Sequence, residues 1–344
     1  MAELLTYFAV RDKYELHLIL YGIKREIFYD VNKNVIIHKP AFKFNNNFRL
    51  FFTFRTLLYL RKEIKNIKPD SILSFGELWN SFVLLATIGL RSNIYISDRC
   101  NPQKKYKIFN SILRKMLYKK ATGIIAQTNK AAAVYKELFK NNNISVIGNP
   151  IREIKQNGIK KENIVLTVGR LIETKHHDLL IKMFLNSAPP DWKLIIVGDD
   201  AQKQKNKIKL ERLIYELNAK ERVFLIGTQK NIDEFYLRSK IFAFTSSSEG
   251  FPNVIGEAQA AGLPVISFDC IAGPSDLIED GKNGFLIPLF EQKMFEDKLR
   301  LLISDENLRE RLGNSAKETI KKFSVSAIGD KFEKFILTNA YSSN

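Results

Sequence analysis

Residues Ile241–Pro264, IFAFTSSSEGFPNVIGEAQAAGLP, decide how the rest of the chain is read. Their apolar opening, bounded by a Ser run, predicts a buried strand that ends in a loop. Gly250-Phe251-Pro252-Asn253 makes that loop, and Val254–Ala261 predicts a short helix stopped by Gly262 and Pro264. A strand, a Gly-containing turn and a helix in that order aim unpaired backbone N–H groups and the positive helix end at one point. Such a point suits a phosphate or sugar oxygens.

Glu249 stands on the loop and Glu257 one turn into the helix, so both carboxylates face that point from different heights. Carboxylates repel phosphate, so they read as acceptors for sugar hydroxyls while the amides serve the anion. Two Glu with seven residues between them, set in SSSEGFPNVIGEAQAAGLPV, resemble the E-x7-E signature of family 4 retaining glycosyltransferases of GT-B architecture. The resemblance implies an α/β chain of two facing doubly wound, Rossmann-like domains with a nucleotide sugar in the cleft between them.

The length, 344 residues, suits two medium α/β domains, each with its own core. Two cysteines, Cys100 and Cys270, and four His support neither a disulfide framework nor a Cys/His zinc site, and point to a reducing, cytoplasmic setting. The longest clean apolar run, Phe82 to Leu90, is well short of the roughly 20 residues of a membrane span, and the opening segment lacks a signal-peptide pattern. Charge is uneven. Residues 1–150 hold 25 Lys and Arg against 10 Asp and Glu, net +15, while the rest hold 29 against 27. A basic half points to nucleic acid or to the inner leaflet of a membrane, where each basic residue is worth about 1 kcal/mol. A lysine-rich composition with solvated faces is the competing account. The lack of a helix-turn-helix, zinc-finger or RNA-binding aromatic motif argues against nucleic acid.

The resemblance divides the chain into 1–150, a basic, acceptor-binding and membrane-associating domain; 151–325, the nucleotide-sugar domain; and 326–344, a helix that crosses back to the first domain, plus tail. In the first part, the family has a strand and a Gly-rich turn ahead of a helix like Met1–Val10, and neither precedes it here. The first strand of a doubly wound sheet is central, so its loss predicts an open slot flanked by unpaired strand edges, or a start roughly 15–20 residues upstream. Phe48–Lys65 predicts a helix with an apolar stripe wider than sheet packing needs; membrane docking and ordinary core packing both account for it. Gly76-Glu77 falls after the strand Ser71–Phe75, where ligands sit in such sheets. SDRCNP, residues 97–102, resembles the family's Ser-Glu-His/Arg-x-x-Pro beside the reacting sugar, which implies acceptor-facing roles for Asp98 and Arg99. Arg99 does not deprotonate and so is no base; it suits an acceptor phosphate or the leaving diphosphate. A capped turn into the next helix is the alternative. Gln103–Lys120 predicts a basic amphipathic helix with Ile108, Ile112 and Met116 along one stripe. Its Lys104 and Lys105 suit a lipid-linked pyrophosphate, or belong to a solvated face.

In the second part, the apolar strand Asn163–Val168 is followed by Gly169-Arg170-Leu171-Ile172-Glu173-Thr174-Lys175. This resembles the family's Gly-Arg-Leu-x-x-x-Lys, whose Arg and Lys clamp the donor diphosphate and stabilise charge as it develops there. Asp199-Asp200 alone makes a poor oxygen cage, so neither a metal nor another cofactor is expected. Gly227 and Thr228 match a loop that borders the nucleotide base. Gly273-Pro274-Ser275-Asp276 matches a sugar-facing turn and, by resemblance alone, leans the donor toward galactose or N-acetylgalactosamine. Glu279–Gly284 reads as a hairpin-like turn.

Together these imply transfer of a hexose or N-acetylhexosamine from a UDP-sugar to a lipid-linked or surface-polysaccharide acceptor, with retention, at the inner face of the membrane. Glu249, Arg170, Lys175 and Arg99 are the expected catalytic groups. Glu249, Gly250, Phe251, Pro252, Asn253, Glu257, Gly227, Thr228 and Gly273 are the expected donor contacts, with Arg170 and Lys175. A sugar-nucleotide epimerase of the same architecture, which needs no acceptor, and a non-catalytic remnant are the alternatives.

Overall fold

The computed structural model describes residues 2–23, 30–156, 158–201 and 204–337; Met1 and the expected tail beyond Leu337 lie outside them. The chain divides into two units. The first runs to Pro150 and includes the segment from Val325, and the second is Ile151–Ser324.

Unit 1 begins with α1 (Ala2–Val10), β1 (Leu16–Ile19), β2 (Val35–His38) and α2 (Arg49–Ile67). Then come β3 (Ser71–Phe75), α3 (Glu77–Ala86), β4 (Asn93–Ser97), α4 (Ile108–Tyr118), β5 (Gly123–Ala126), α5 (Asn129–Phe139) and β6 (Ile144–Val146). Strands β3-β4-β5-β6 form one parallel sheet, and β1 pairs with β2 in another. Among the described residues no strand joins the two sheets, so β1 and β3 each keep one edge without a strand partner. Burial follows from this. Parallel strands covered on both faces are apolar throughout, and Tyr95, Ile96, Ile124 and Ile125 of β4 and β5 are fully buried, whereas Ile36 and Ile37 of β2 are exposed.

Unit 2 contains β7 (Ile164–Val168), α6 (His177–Ser187), β8 (Lys193–Val197), α7 (Asn206–Glu216), β9 (Val223–Leu225), α8 (Ile232–Arg238) and β10 (Ile241–Phe244). It continues with α9 (Asn253–Ala260), β11 (Val265–Asp269), α10 (Pro274–Leu277), β12 (Gly284–Pro288), α11 (Gln292–Ser304) and α12 (Glu306–Thr319). Its six-stranded sheet has the order β12-β11-β10-β7-β8-β9, every pair parallel. Numbered within the unit this is 6-5-4-1-2-3, the doubly wound order, and it reverses between β7 and β10. Alternation along β10 sends Ile241 and Ala243 into one core layer with Leu180, Phe184 and Phe295. Phe242 and Phe244 enter the opposite layer with Ile255, Ala258 and Leu277.

The closing helix α13 (Val325–Leu337) belongs to unit 1. Phe332 is fully buried, Phe335 lies edge-on to Tyr95 at 5.3 Å, and Arg11, just past α1, pairs with Glu333 at 2.7 Å.

Two local expectations are corrected. The helix expected from Gln103 starts only at Ile108, because Asn101 turns the chain: its side chain accepts from the Gln103 amide at 2.9 Å and its carbonyl from the Lys104 amide at 3.0 Å. Lys104 and Lys105 therefore sit on a loop. Glu279–Gly284 forms the expected tight turn, the Gly281 amide donating to the Gly284 carbonyl at 2.8 Å, and β12 then joins β11 in parallel. Asn253 opens α9 instead of closing the loop before it.

Candidate active site

In a doubly wound sheet, loops diverge at the point where strand order reverses, and the crevice between them receives the ligand. In unit 2 that point lies between β7 and β10. The loop leaving β7 is Gly169–Lys175, and the loop leaving β10 is Thr245–Pro252. The two motifs singled out by sequence thus emerge side by side.

They are stitched together. The Ser247 amide donates to the Thr174 carbonyl at 2.8 Å, and Thr245 Oγ1 to the Lys175 carbonyl at 2.8 Å. Lys175 Nζ lies 2.6 Å from Glu249 Oε1 and 4.8 Å from the centre of the Phe244 ring, with both charged side chains largely buried. Arg170, on the same turn, is exposed. Two glycines make the close approaches possible. A Cβ on Gly198 would stand 1.9 Å from the Gly169 carbonyl oxygen, and one on Gly273, where φ is +104°, 2.3 Å from Pro252 Cδ. The second contact sets the Gly273–Asp276 turn against the Gly250–Pro252 loop. Gly227, at φ +69°, accepts from the Gly198 amide at 2.9 Å beyond β9, two strands from β7, and Thr228 beside it is exposed.

Glu257 is held apart from Glu249. Its Oε2 accepts from Tyr236 Oη at 2.9 Å, and Oε1 is 4.0 Å from Arg152 Nε, whose guanidinium also grips Asp233. Burial raises the Glu257 carboxyl above its ordinary 4.5, against the opposing hydrogen bond from Tyr236 and the charge of Arg152. Burial and then the Lys175 charge push the His177 imidazole down to about 4, so it is neutral at pH 7. Tyr236 and Arg152 carried no sequence signal; they are found only because α8 and the start of unit 2 fold against α9.

His176 and Phe290 combine a left-handed backbone with a ring contact. Both are non-glycine residues in the left-handed region, at φ 49° and 68°, and their rings meet edge-on at 5.1 Å. The His176 ring also bonds Ser247 Oγ at 2.8 Å. Each strained residue costs about 1–3 kcal/mol and persists only where its surroundings hold it. His176→Gly relieves the strain and cuts the tether to Ser247. It is expected to leave the thermal midpoint within a few degrees of wild type while lowering turnover several-fold, and a parallel fall in both would assign His176 to stability alone.

In unit 1 the polar cluster lies at the carboxyl ends of β3 and β4. Asp98 is 2% exposed and faces inward: Asn80 donates to it at 2.8 Å, Tyr118 Oη at 2.7 Å, and Arg114 forms a close ion pair. This corrects the acceptor-facing expectation, because a carboxylate with its oxygens engaged inside the core is out of an acceptor's reach. Arg99 remains half-buried over the Phe75 ring at 4.5 Å, its guanidinium bonded to Asn149, and burial pushes it down to about 10, still cationic at pH 7. Glu77, which follows β3 at the end of the sheet where ligands sit, accepts from the Arg99 amide at 3.3 Å. Burial pushes its carboxyl up, but the Cys100 thiol, the Glu77 and Arg99 amides and Lys104 together hold it below the usual range. Among the described residues no group of three or more His, Cys, Asp or Glu is placed to hold a metal.

Two parallel α/β units, one with a full doubly wound sheet bearing an Arg/Lys loop and a Glu/Gly loop at its reversal point, have the build of a GT-B glycosyltransferase. The chain belongs to glycosyltransferase family 4: residues 1–153 match the family described as Glycosyltransferase Family 4 and residues 151–319 the one described as Glycosyl transferases group 1. Over 94% of its length it is 30% identical to 92% of the Campylobacter jejuni N-acetylgalactosamine-N,N'-diacetylbacillosaminyl-diphospho-undecaprenol 4-alpha-N-acetylgalactosaminyltransferase. A glycosyltransferase from Rickettsia africae superposes with a TM-score of 0.82 over 99% of this chain and 94% of that one at 16% identity, a likeness of fold alone. Staphylococcus aureus TarM, solved with UDP and alpha-GlcNAc-glycerol, matches with a TM-score of 0.70 at 25% identity over 82% of this chain, which spans only 59% of TarM.

Proposed function

We propose that the enzyme transfers a hexose or N-acetylhexosamine from a UDP-sugar to a lipid-linked or surface-polysaccharide acceptor, with retention of anomeric configuration. The observation that carries this reading is the Lys175–Glu249 pair at the reversal point of the unit 2 sheet. There Lys175 and the exposed Arg170 stabilise the diphosphate as the sugar–phosphate bond breaks. Glu249 and the Gly250–Asn253 backbone hold the sugar, with the Gly273 turn beside them. Glu257 accepts from the ribose hydroxyls, and Gly227 and Thr228 border the base. In unit 1, Arg99 with Lys104 and Lys105 takes the phosphate of the acceptor. The Glu249 carboxylate is engaged by Lys175, and the leaving phosphate takes the acceptor's proton on the same face. The names of the Campylobacter relative and of the UDP-bound TarM structure support the lipid-linked acceptor, the N-acetylgalactosamine lean and the UDP donor.

The donor half is tested by equilibrium binding of UDP, GDP and ADP. UDP is expected to bind tightest, with affinity lost in Arg170→Ala; preference for another nucleotide would overturn the UDP assignment. Retention is read from the anomeric coupling of the product by NMR.

Acidity supplies a further prediction. Only the ionised Glu257 accepts two ribose hydroxyls, and its carboxyl titrates above 4.5. As pH falls through that raised value the residue takes up a proton, so the KM for donor is expected to rise on the acid side. In Glu257→Gln the donor KM is expected to be uniformly high and to lose this dependence. A wild-type acid limb that survives unchanged in the variant would place the titration elsewhere.

A further inference from the structure

We propose that unit 1 docks on an anionic lipid bilayer through the first turns of α2, α3 and α4. This deepens the acceptor half of the proposed function. Each of these helices leads into a strand of the parallel sheet, α2 into β3, α3 into β4 and α4 into β5, so all three begin toward the carboxyl edge of that sheet. Helix α2 is 19 residues, about 28 Å, against about 17 Å for the five-residue strand β3 that follows it, so its start overhangs the sheet. Its buried residues, Thr56, Leu60 and Ile64, all lie past the overhang.

What the overhang presents is apolar. Leu50 is 88% exposed, and Phe48, Phe51 and Phe54 are exposed with it. At the start of α3, next to Glu77, Leu78 and Trp79 are exposed. Helix α4 turns its apolar stripe outward. Ile108, 80% exposed, Phe109, Ile112 and Met116 face solvent, while Arg114 faces the core. A helix that buries an arginine and exposes its apolar stripe has that stripe matched to a surface outside its own unit.

Charge selects the surface. Residues 31–62 hold seven Lys and Arg and residues 99–136 hold ten, and neither stretch contains a single Asp or Glu. Basic residues flank the apolar ones directly: Arg49 and Arg55 on α2, and Lys104, Lys105, Lys107 and Lys115 around α4, are all exposed. A second copy of the chain would set like charge against like across this face, and nucleic acid gains nothing from burying Leu50 or Ile108, which offer no ring to stack on a base. An anionic bilayer interface satisfies both parts, acyl chains for the apolar residues and headgroups for the cations. Docked so, the sheet edge that carries Glu77 and Arg99 faces the headgroup layer.

Flotation with vesicles of phosphatidylcholine alone, and with about 30% phosphatidylglycerol added, tests this. Trp79 serves as reporter, because the only other tryptophan, Trp192, is 4% exposed in the core of unit 2. Anionic vesicles are expected to float the full-length protein and shift its emission to the blue, and neutral vesicles to do neither. Two triple variants, Leu50→Ser with Phe51→Ser and Phe54→Ser, and Ile108→Ser with Phe109→Ser and Ile112→Ser, should each lower the bound fraction at least about tenfold. Their thermal midpoints should not move, since these side chains are exposed. Equal flotation of wild type and both variants overturns the proposal. So does binding to single-stranded RNA but not to vesicles, or a dimer that the variants dissolve. Vesicle binding is read without any transfer reaction, so it stands or falls separately from the proposed activity.

Discussion

Lys175→Ala is expected to lower turnover by about 10²–10³-fold, the usual cost of removing one preorganised group that meets developing charge. The ammonium sits within a salt-bridge distance of Glu249 and over the Phe244 ring, so it is fixed before any donor arrives and spends no reorganisation at the reaction. Most of the loss should fall on kcat, because the negative charge on the leaving diphosphate grows during bond breaking. Lys175→Arg should recover little, since a planar guanidinium does not reproduce a point charge 2.6 Å from Glu249 Oε1. Glu249→Ala should likewise abolish most turnover with folding intact. Circular dichroism and acceptor-dependent nucleotide release check both variants. Turnover within threefold of wild type in either would remove that residue from the mechanism.

Asp98→Ala is expected to be the most damaging single change to stability. Breaking a buried ion pair by removing one member costs about 3–5 kcal/mol, because the partner stays buried and uncompensated. Here the stranded group is Arg114, 7% exposed and stacked 4.4 Å from Tyr106 and 5.0 Å from Tyr118, while Asn80 and the Tyr118 hydroxyl also lose their acceptor. The unit 1 transition should fall by about 10 °C in a thermal scan. Asp98→Asn keeps two of the hydrogen bonds and should lose less. A midpoint unchanged in Asp98→Ala would contradict the buried network.

The adjacent Arg/Lys and Glu/Gly loops of unit 2 were legible in sequence because their signals are local. Gly250, Gly273, Glu249 and the Arg/Lys turn each lie in a loop that leaves a strand, and the largely apolar strands β7 and β10 could be found without tertiary information. That these strands are neighbours, so that Lys175 meets Glu249, follows from sheet order, which a doubly wound reading already contains. Asp98 was misplaced for the opposite reason. Its neighbours in the network lie 16 to 20 residues away on α3 and α4, and an aspartate after a strand looks the same whether it turns inward or outward. The same limit hid Arg152 and Tyr236. The stripe Ile108, Ile112, Met116 was visible as a period, but a period does not say which face meets the core; the inward Leu117 and Tyr118 decide that.

The central claim, a transferase that releases UDP only when an acceptor takes the sugar, is tested most directly by nucleotide release. The full chain is incubated with UDP-, GDP- and ADP-sugars, with and without undecaprenyl-pyrophosphate-linked glycans in detergent. Release of UDP from one donor, dependent on the acceptor and lost in Lys175→Ala, is the predicted result. Conversion of a UDP-sugar to its epimer with no acceptor present, or UDP bound without release under every acceptor, would contradict it.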